Sequence, residues 1–209
     1  MRGARAAALA CAAALVGTPA EVRADGAYGR FEGDLLLTAG AGASVAEGGP
    51  RLATLGRALF LSSAGPYVAY DDTLGHGDAR LRQKLGAGVT LAPLFPARFA
   101  SNAERGPAWL DLLIDSFCIE TGVAWTASGE RGLGGTPGLE LGVGVSIPLG
   151  AWSTGFFLDT RATALFSDAA MRAESRGSDT HAEAALTLTL AYHGIVSTHL
   201  VDPKDRRPE

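Results

Sequence analysis

Hydrophobic and polar positions alternate along much of this 209-residue chain. The pattern is cleanest in AALTLTLAYHGIVSTHL, residues 184–200. Leu186, Leu188, Leu190, Tyr192 and Val196 fall on one side, and Thr187, Thr189, Ala191, His193, Ser197 and His199 on the other. A period of two sustained in this way predicts a β-strand with one apolar and one polar face.

The same reading locates further strands. Over 30–45, Phe31, Leu35, Leu37, Ala39, Ala41 and Val45 oppose Arg30, Glu32, Asp34, Thr38 and Ser44, and Glu47–Pro50 marks a turn. Residues 51–72 form one long strand, or two that bend at Ser62–Gly65 with Pro66 opening the second. Over 79–92, Leu81, Leu85, Val89 and Leu91 oppose Arg80, Arg82, Lys84, Gly86, Gly88 and Thr90. Phe117, Ile119, Val123 and Trp125 oppose Ser116, Cys118, Glu120 and Gly122. Over 138–149, Leu139, Leu141, Val143, Val145 and Ile147 oppose Glu140, Gly142, Gly144 and Ser146. After a tight turn at Pro148–Ala151, residues 153–167 set Phe156, Leu158, Ala162, Ala164 and Phe166 against Phe157, Asp159, Arg161 and Thr163. The total is seven strands, or eight if 51–72 divides.

Two stretches depart from this rhythm. Pro93, Pro96 and Pro107 forbid a central strand over 93–115. There PAWLDLLIDSF has helical spacing, with Asp111 and Asp115 four apart, read as the wet face of a short amphipathic segment. The alternative is an inward plug or an interaction element. Leu141–Leu158 is uncharged and long enough to compete as a membrane helix. Its internal Pro148, its glycines and its period of two favour a hairpin.

Residues 1–24 read as a signal peptide: Arg2 and Arg5, the apolar run Ala6–Val16, and Val22-Arg23-Ala24 before a cleavage point. The mature part divides into a β-barrel domain, 25–200, and a polar C-terminal tail, 201–209. Removing the leader takes away Arg2, Arg5, Arg23 and Glu21, so the formal charge moves from −4 to −6. An acidic mature chain argues against nucleic acid as a partner. Cys118 is then the only cysteine, which excludes an internal disulfide.

Composition turns the strands into an architecture. Glycine is abundant, 28 residues, and falls inside the alternating runs, while charged residues are only 19% of the chain. A soluble β-protein needs many long charged side chains on its wet face. Here the second face carries Gly, Ala, Ser and Thr with a few charges. A closed barrel in lipid fits: apolar side chains outward, small and charged ones inward, every backbone amide paired. The interior of an eight-stranded barrel is narrow and filled by side chains. The expected lumen charges are Arg30, Glu32, Asp34, Arg80, Arg82, Lys84, Glu120, Glu140, Asp159 and Arg161. Buried charges persist only when paired, so a plugged, salt-bridged lumen is expected. Tyr67, Tyr70, Trp109, Trp125, Trp152 and Tyr192 are the candidates for interface aromatics.

The leader, the alternating segments, the Gly-rich strands and the unequal loops resemble those of small bacterial outer-membrane β-barrel proteins over residues 26–200. The resemblance is architectural and rests on no diagnostic motif. It implies an antiparallel up-and-down barrel of about eight strands in the outer membrane, with lipid and the barrel-insertion machinery as partners. It also implies that Glu47–Pro50 and Pro148–Ala151 lie on the periplasmic side and that 168–180 faces out.

Chemistry-bearing motifs are sparse. His193 and His199 share a face but stand about 20 Å apart, too far for one metal ion. No G-x-S-x-G motif occurs, and GLGGTPG at 132–138 lacks the Lys-Ser/Thr of a phosphate cradle. The expectation is no cofactor, no metal site, no catalytic residues and no enzyme activity, with a structural or small-solute pore role. An open lumen would make Arg80, Arg82 and Lys84 selectivity elements. The alternatives are a soluble periplasmic barrel with Leu, Val and Phe turned inward on an apolar ligand, and a lipid-modifying barrel enzyme.

Overall fold

A computed structural model describes residues 30, 33–74, 82–103, 107–127, 133, 137–167 and 182–198. Eight antiparallel strands close into a barrel in sequence order. They are β1 Leu35–Ala46, β2 Gly49–Phe60, β3 Ala64–Asp72, β4 Gln83–Leu91, β5 Cys118–Ala127, β6 Gly138–Pro148, β7 Gly155–Phe166 and β8 Ala182–Val196. β1 closes against β8 from Leu35↔Val196 to Ala46↔Ala185. The fold is the up-and-down barrel that the strand periodicity implied. The proposed leader and tail, with Glu32, Arg80, His76, His181 and His199, lie outside the described residues.

Residues 51–72 divide. Phe60–Ser63 is a tight turn in which the Ser63 N–H bonds to the Phe60 carbonyl at 3.0 Å, and Leu61 and Ser62 have φ of 46° and 54°. Positive φ at both central positions is the turn geometry that matches strand twist, though Asn and Gly usually supply it. Over 141–158 the chain forms the β6–β7 hairpin, and among the described residues no helix is long and apolar enough to cross a membrane.

The connection between β4 and β5 carries two short helices, α1 Leu94–Ala100 and α2 Ala108–Asp115. Pro93 and Pro107 stand at their N-caps, where a missing N–H costs nothing. They cap the terminal end of the barrel, where β1 begins and β8 stops. The β2–β3 and β6–β7 turns share that end, because connections in an up-and-down barrel alternate between ends. The β1–β2 turn therefore belongs to the opposite end, where β7 stops and β8 begins. This corrects the expectation that Glu47–Pro50 and Pro148–Ala151 lie on one side.

Apolar residues face out on all eight strands. Leu186 is 63% exposed, and Val45, Leu52, Val68, Val89 and Leu141 also stand outward. Inward positions carry mostly small, polar and charged groups, among them Ser44, Arg57, Asp71, Lys84 and Thr189, with Leu55, Leu59, Phe157 and Leu165 buried among them. The inverted barrel, with Leu and Val turned inward on a ligand, is not the arrangement formed.

Candidate functional site: the charged barrel interior

Strand alternation aims one charged residue after another at the barrel axis. Arg57 comes from β2, Asp71 from β3, Lys84 from β4, Glu120 from β5, Glu140 from β6, and Asp159 and Arg161 from β7; all are buried. Glu120 is the hub. Arg57 Nε donates to its Oε1 at 3.0 Å, and Arg161 Nε donates to its Oε2 at 2.7 Å. Thr90 Oγ1 adds a bond to Oε1 at 3.3 Å. The second arm of each arginine reaches another carboxylate: Arg57 Nη1 to Asp159 at 3.1 Å, Arg161 Nη2 to Glu140 at 3.3 Å. Lys84 Nζ then joins Glu140, at 2.9 Å, to Asp71, at 3.1 Å. The result is a continuous chain of opposite charges across the interior. Forked guanidiniums suit it because each can serve two carboxylates in fixed geometry.

Glycines make room for these long side chains. Tyr67, Gly88, Gly122 and Glu140 are successive partners across β3, β4, β5 and β6. Tyr67 spans this row and donates its hydroxyl to Glu140 Oε1 at 3.2 Å. A Cβ at Gly122 would stand 2.8 Å from that hydroxyl and 2.4 Å from the Ala87 carbonyl oxygen. Arg161 lies 5.2 Å over the Tyr67 ring, a cation–π contact in a desolvated site. Tyr67 is thus 2% exposed and belongs to the interior, which corrects its assignment to the interface. The other proposed interface aromatics stand differently: Trp109, Trp152 and Tyr192 are exposed, and Tyr70 and Trp125 half-buried.

Toward the terminal end the interior continues through His193, whose Nε2 is 3.4 Å from Asp159 Oδ1 and whose ring stacks on Phe157 at 4.0 Å. Beside them is a cavity of 40 Å³, lined by Thr38, Arg57, Thr90, Ser146 and His193 among others, with room for a water or two. The helical cap closes it. Arg98 pairs with both Asp111 and Asp115. Arg30 reaches Asp115 at 3.4 Å, donates to the Leu112 carbonyl at 3.3 Å, and lies 4.7 Å over the Phe95 ring. Burial disfavours the charge on Arg98, but its bonds to Asp111 and Asp115 outweigh that and raise its pKa above the ordinary value. Asp111 and Asp115 are therefore buried partners of arginines, and the expected wet face of this segment is its inner face.

Five expected lumen residues, Lys84, Glu120, Glu140, Asp159 and Arg161, stand in the interior network. Arg30 serves the cap instead. Asp34 fastens the terminal end, accepting the Thr198 N–H and hydroxyl, both at 2.5 Å. Arg82 precedes the start of β4 and is exposed at the opposite rim. Arg57 and Asp71 were missed because no faces could be assigned while 51–72 remained undivided. Arg51, also missed, is buried on β2 and pairs with Glu183 at 2.5 Å.

Among solved structures, the chain is similar to the crystal structure of Acinetobacter baumannii CarO2. The TM-score is 0.44 and the identity 12%, over 76% of this chain and 99% of that one. No protein-family model and no curated protein matches the sequence.

Among the described residues no group of His, Cys, Asp and Glu could hold a metal ion. Every carboxylate of the interior network has a basic partner.

Proposed function

We propose that this protein is a bacterial outer-membrane barrel whose lumen is closed by paired charges, with a structural role and no enzyme activity. The observation that carries the reading is the polarity of the wall: apolar residues outward on every strand, a salt-bridged network within. In water that arrangement exposes an apolar surface far larger than soluble monomers tolerate. In lipid it is the stable one, because hydrocarbon solvates the outer face and the charges satisfy one another inside. Strands of 9 to 15 residues are long enough for a tilted crossing of the hydrocarbon layer.

The closed lumen follows from the same network. A permeating ion would have to separate Arg57, Arg161 and Lys84 from their carboxylates, and the cap of α1 and α2 stands across the terminal end. Membrane fractionation with electrophoresis of boiled and unboiled samples tests the location. A band in the outer membrane whose mobility shifts on boiling supports it; a single unshifted band in the soluble periplasmic fraction removes it. Planar-bilayer recording tests the lumen. No steady conductance is expected, and a regular unitary conductance would make the protein a small-solute pore instead.

A further inference from the structure

Helix α2 is amphipathic in the reverse of the usual sense. Its two charged residues, Asp111 and Asp115, turn in to Arg98 and Arg30, and Leu112 is fully buried beside them. Trp109, Leu110 and Ile114 turn out, 43%, 40% and 37% exposed. Phe99 of α1 is exposed as well. The outward face of α2 thus carries no charge. The strands show the same inversion, with charges inward and apolar groups outward.

The position of the helix explains the match. The Trp109 indole N–H donates to the Pro148 carbonyl at 2.8 Å, and the Ser146 N–H donates to Ser116 Oγ at 2.9 Å. These bonds hold α2 against the last residues of β6. There its outer face continues the apolar wall of Val143, Val145 and Ile147 into the exposed Leu149 and Trp152 of the β6–β7 turn. An indole fixed at the rim of an apolar wall is placed where tryptophan is favoured, at the junction of hydrocarbon and headgroups.

We propose that the outward face of α2 lies in the phospholipid interface at the terminal end of the barrel, making the β4–β5 connection a membrane-seated collar as well as a cap. The inference rests on the outer-membrane reading. It goes further in assigning lipid, rather than water or a protein, as what covers Trp109, Leu110 and Ile114.

The test uses the full mature chain refolded into phosphatidylcholine vesicles that carry a quencher at a shallow or a deep acyl position. One variant keeps only Trp109 (W125F with W152F), and another keeps only Trp125, on the outward side of β5, as the reference. The expected result is loss of Trp109 emission with the shallow quencher and little with the deep one. Ile114→Glu should relieve that quenching while the heat-shifted band persists. Quenching of Trp125 with Trp109 unaffected would overturn the inference and leave the barrel reading standing. Neither residue quenched, together with loss of the heat shift, would overturn both.

Discussion

The barrel interior and the terminal cap are built from the same chemistry and held in different ways. Each is a cluster of cations and carboxylates: Arg57, Arg161 and Lys84 on four carboxylates in the interior, Arg98 and Arg30 on Asp111 and Asp115 in the cap. The interior groups come from six strands, and strand pairing fixes where each one points. They cannot separate without moving a wall that backbone hydrogen bonds hold rigid. The cap groups come from one connection and the segment before β1, and Arg98 is partly exposed. The lesson is that interior pairs bear on whether the barrel forms, whereas cap pairs bear on whether one segment stays docked.

The sharpest way to break the comparison is Glu120→Ala. It removes the hub and strands Arg57 and Arg161 in a desolvated interior, where an orphaned buried charge costs about 3–5 kcal/mol. Urea unfolding in detergent should show that loss, and a shift under about 1 kcal/mol would mean that water already solvates the network. Gly122→Val comes next. Its side chain meets the Tyr67 hydroxyl and the Ala87 carbonyl oxygen, so Tyr67 must leave Glu140. The expected cost is about 1–3 kcal/mol, as for overpacking elsewhere, and wild-type stability would show that the row of glycines is not needed for the ring.

The cap variants should behave otherwise. Arg98→Ala removes one charged partner from each of Asp111 and Asp115, a loss of about 1.5–3 kcal/mol within the segment. Hydrogen exchange should rise across 94–115 while the strands keep their protection; faster exchange throughout would make the cap part of the barrel's own stability. Because the pKa of Arg98 is raised, its contribution is present below the ordinary arginine range and lost only above the folded value. Mildly alkaline buffer should therefore leave that protection unchanged. Trp109→Phe, the smallest change, forfeits one bond to the Pro148 carbonyl, about 1 kcal/mol. It should loosen α2 alone, as read by the same exchange.

Periodicity alone determined the strands and their faces wherever alternation was unbroken. Leu186, Leu188 and Leu190 outward, and Glu140, Asp159 and Arg161 inward, follow from a period of two, because a strand can turn alternate residues only to opposite sides. Composition added closure and the polarity of the wall. Tertiary structure decided what depended on partners across the barrel. The β2–β3 turn carries Leu61 and Ser62 at positive φ, where no glycine or asparagine announces a turn, so the faces of Arg57, Tyr67 and Asp71 stayed hidden. Tyr67 turns inward because Gly88 and Gly122 clear its path to Glu140, a fact about three other strands. Asp111 and Asp115 carry the spacing of a solvated helix face, yet Arg98 and Arg30 arrive from outside the helix and invert it. Local alternation is a property of one strand, while the pairing of buried charges belongs to the closed barrel.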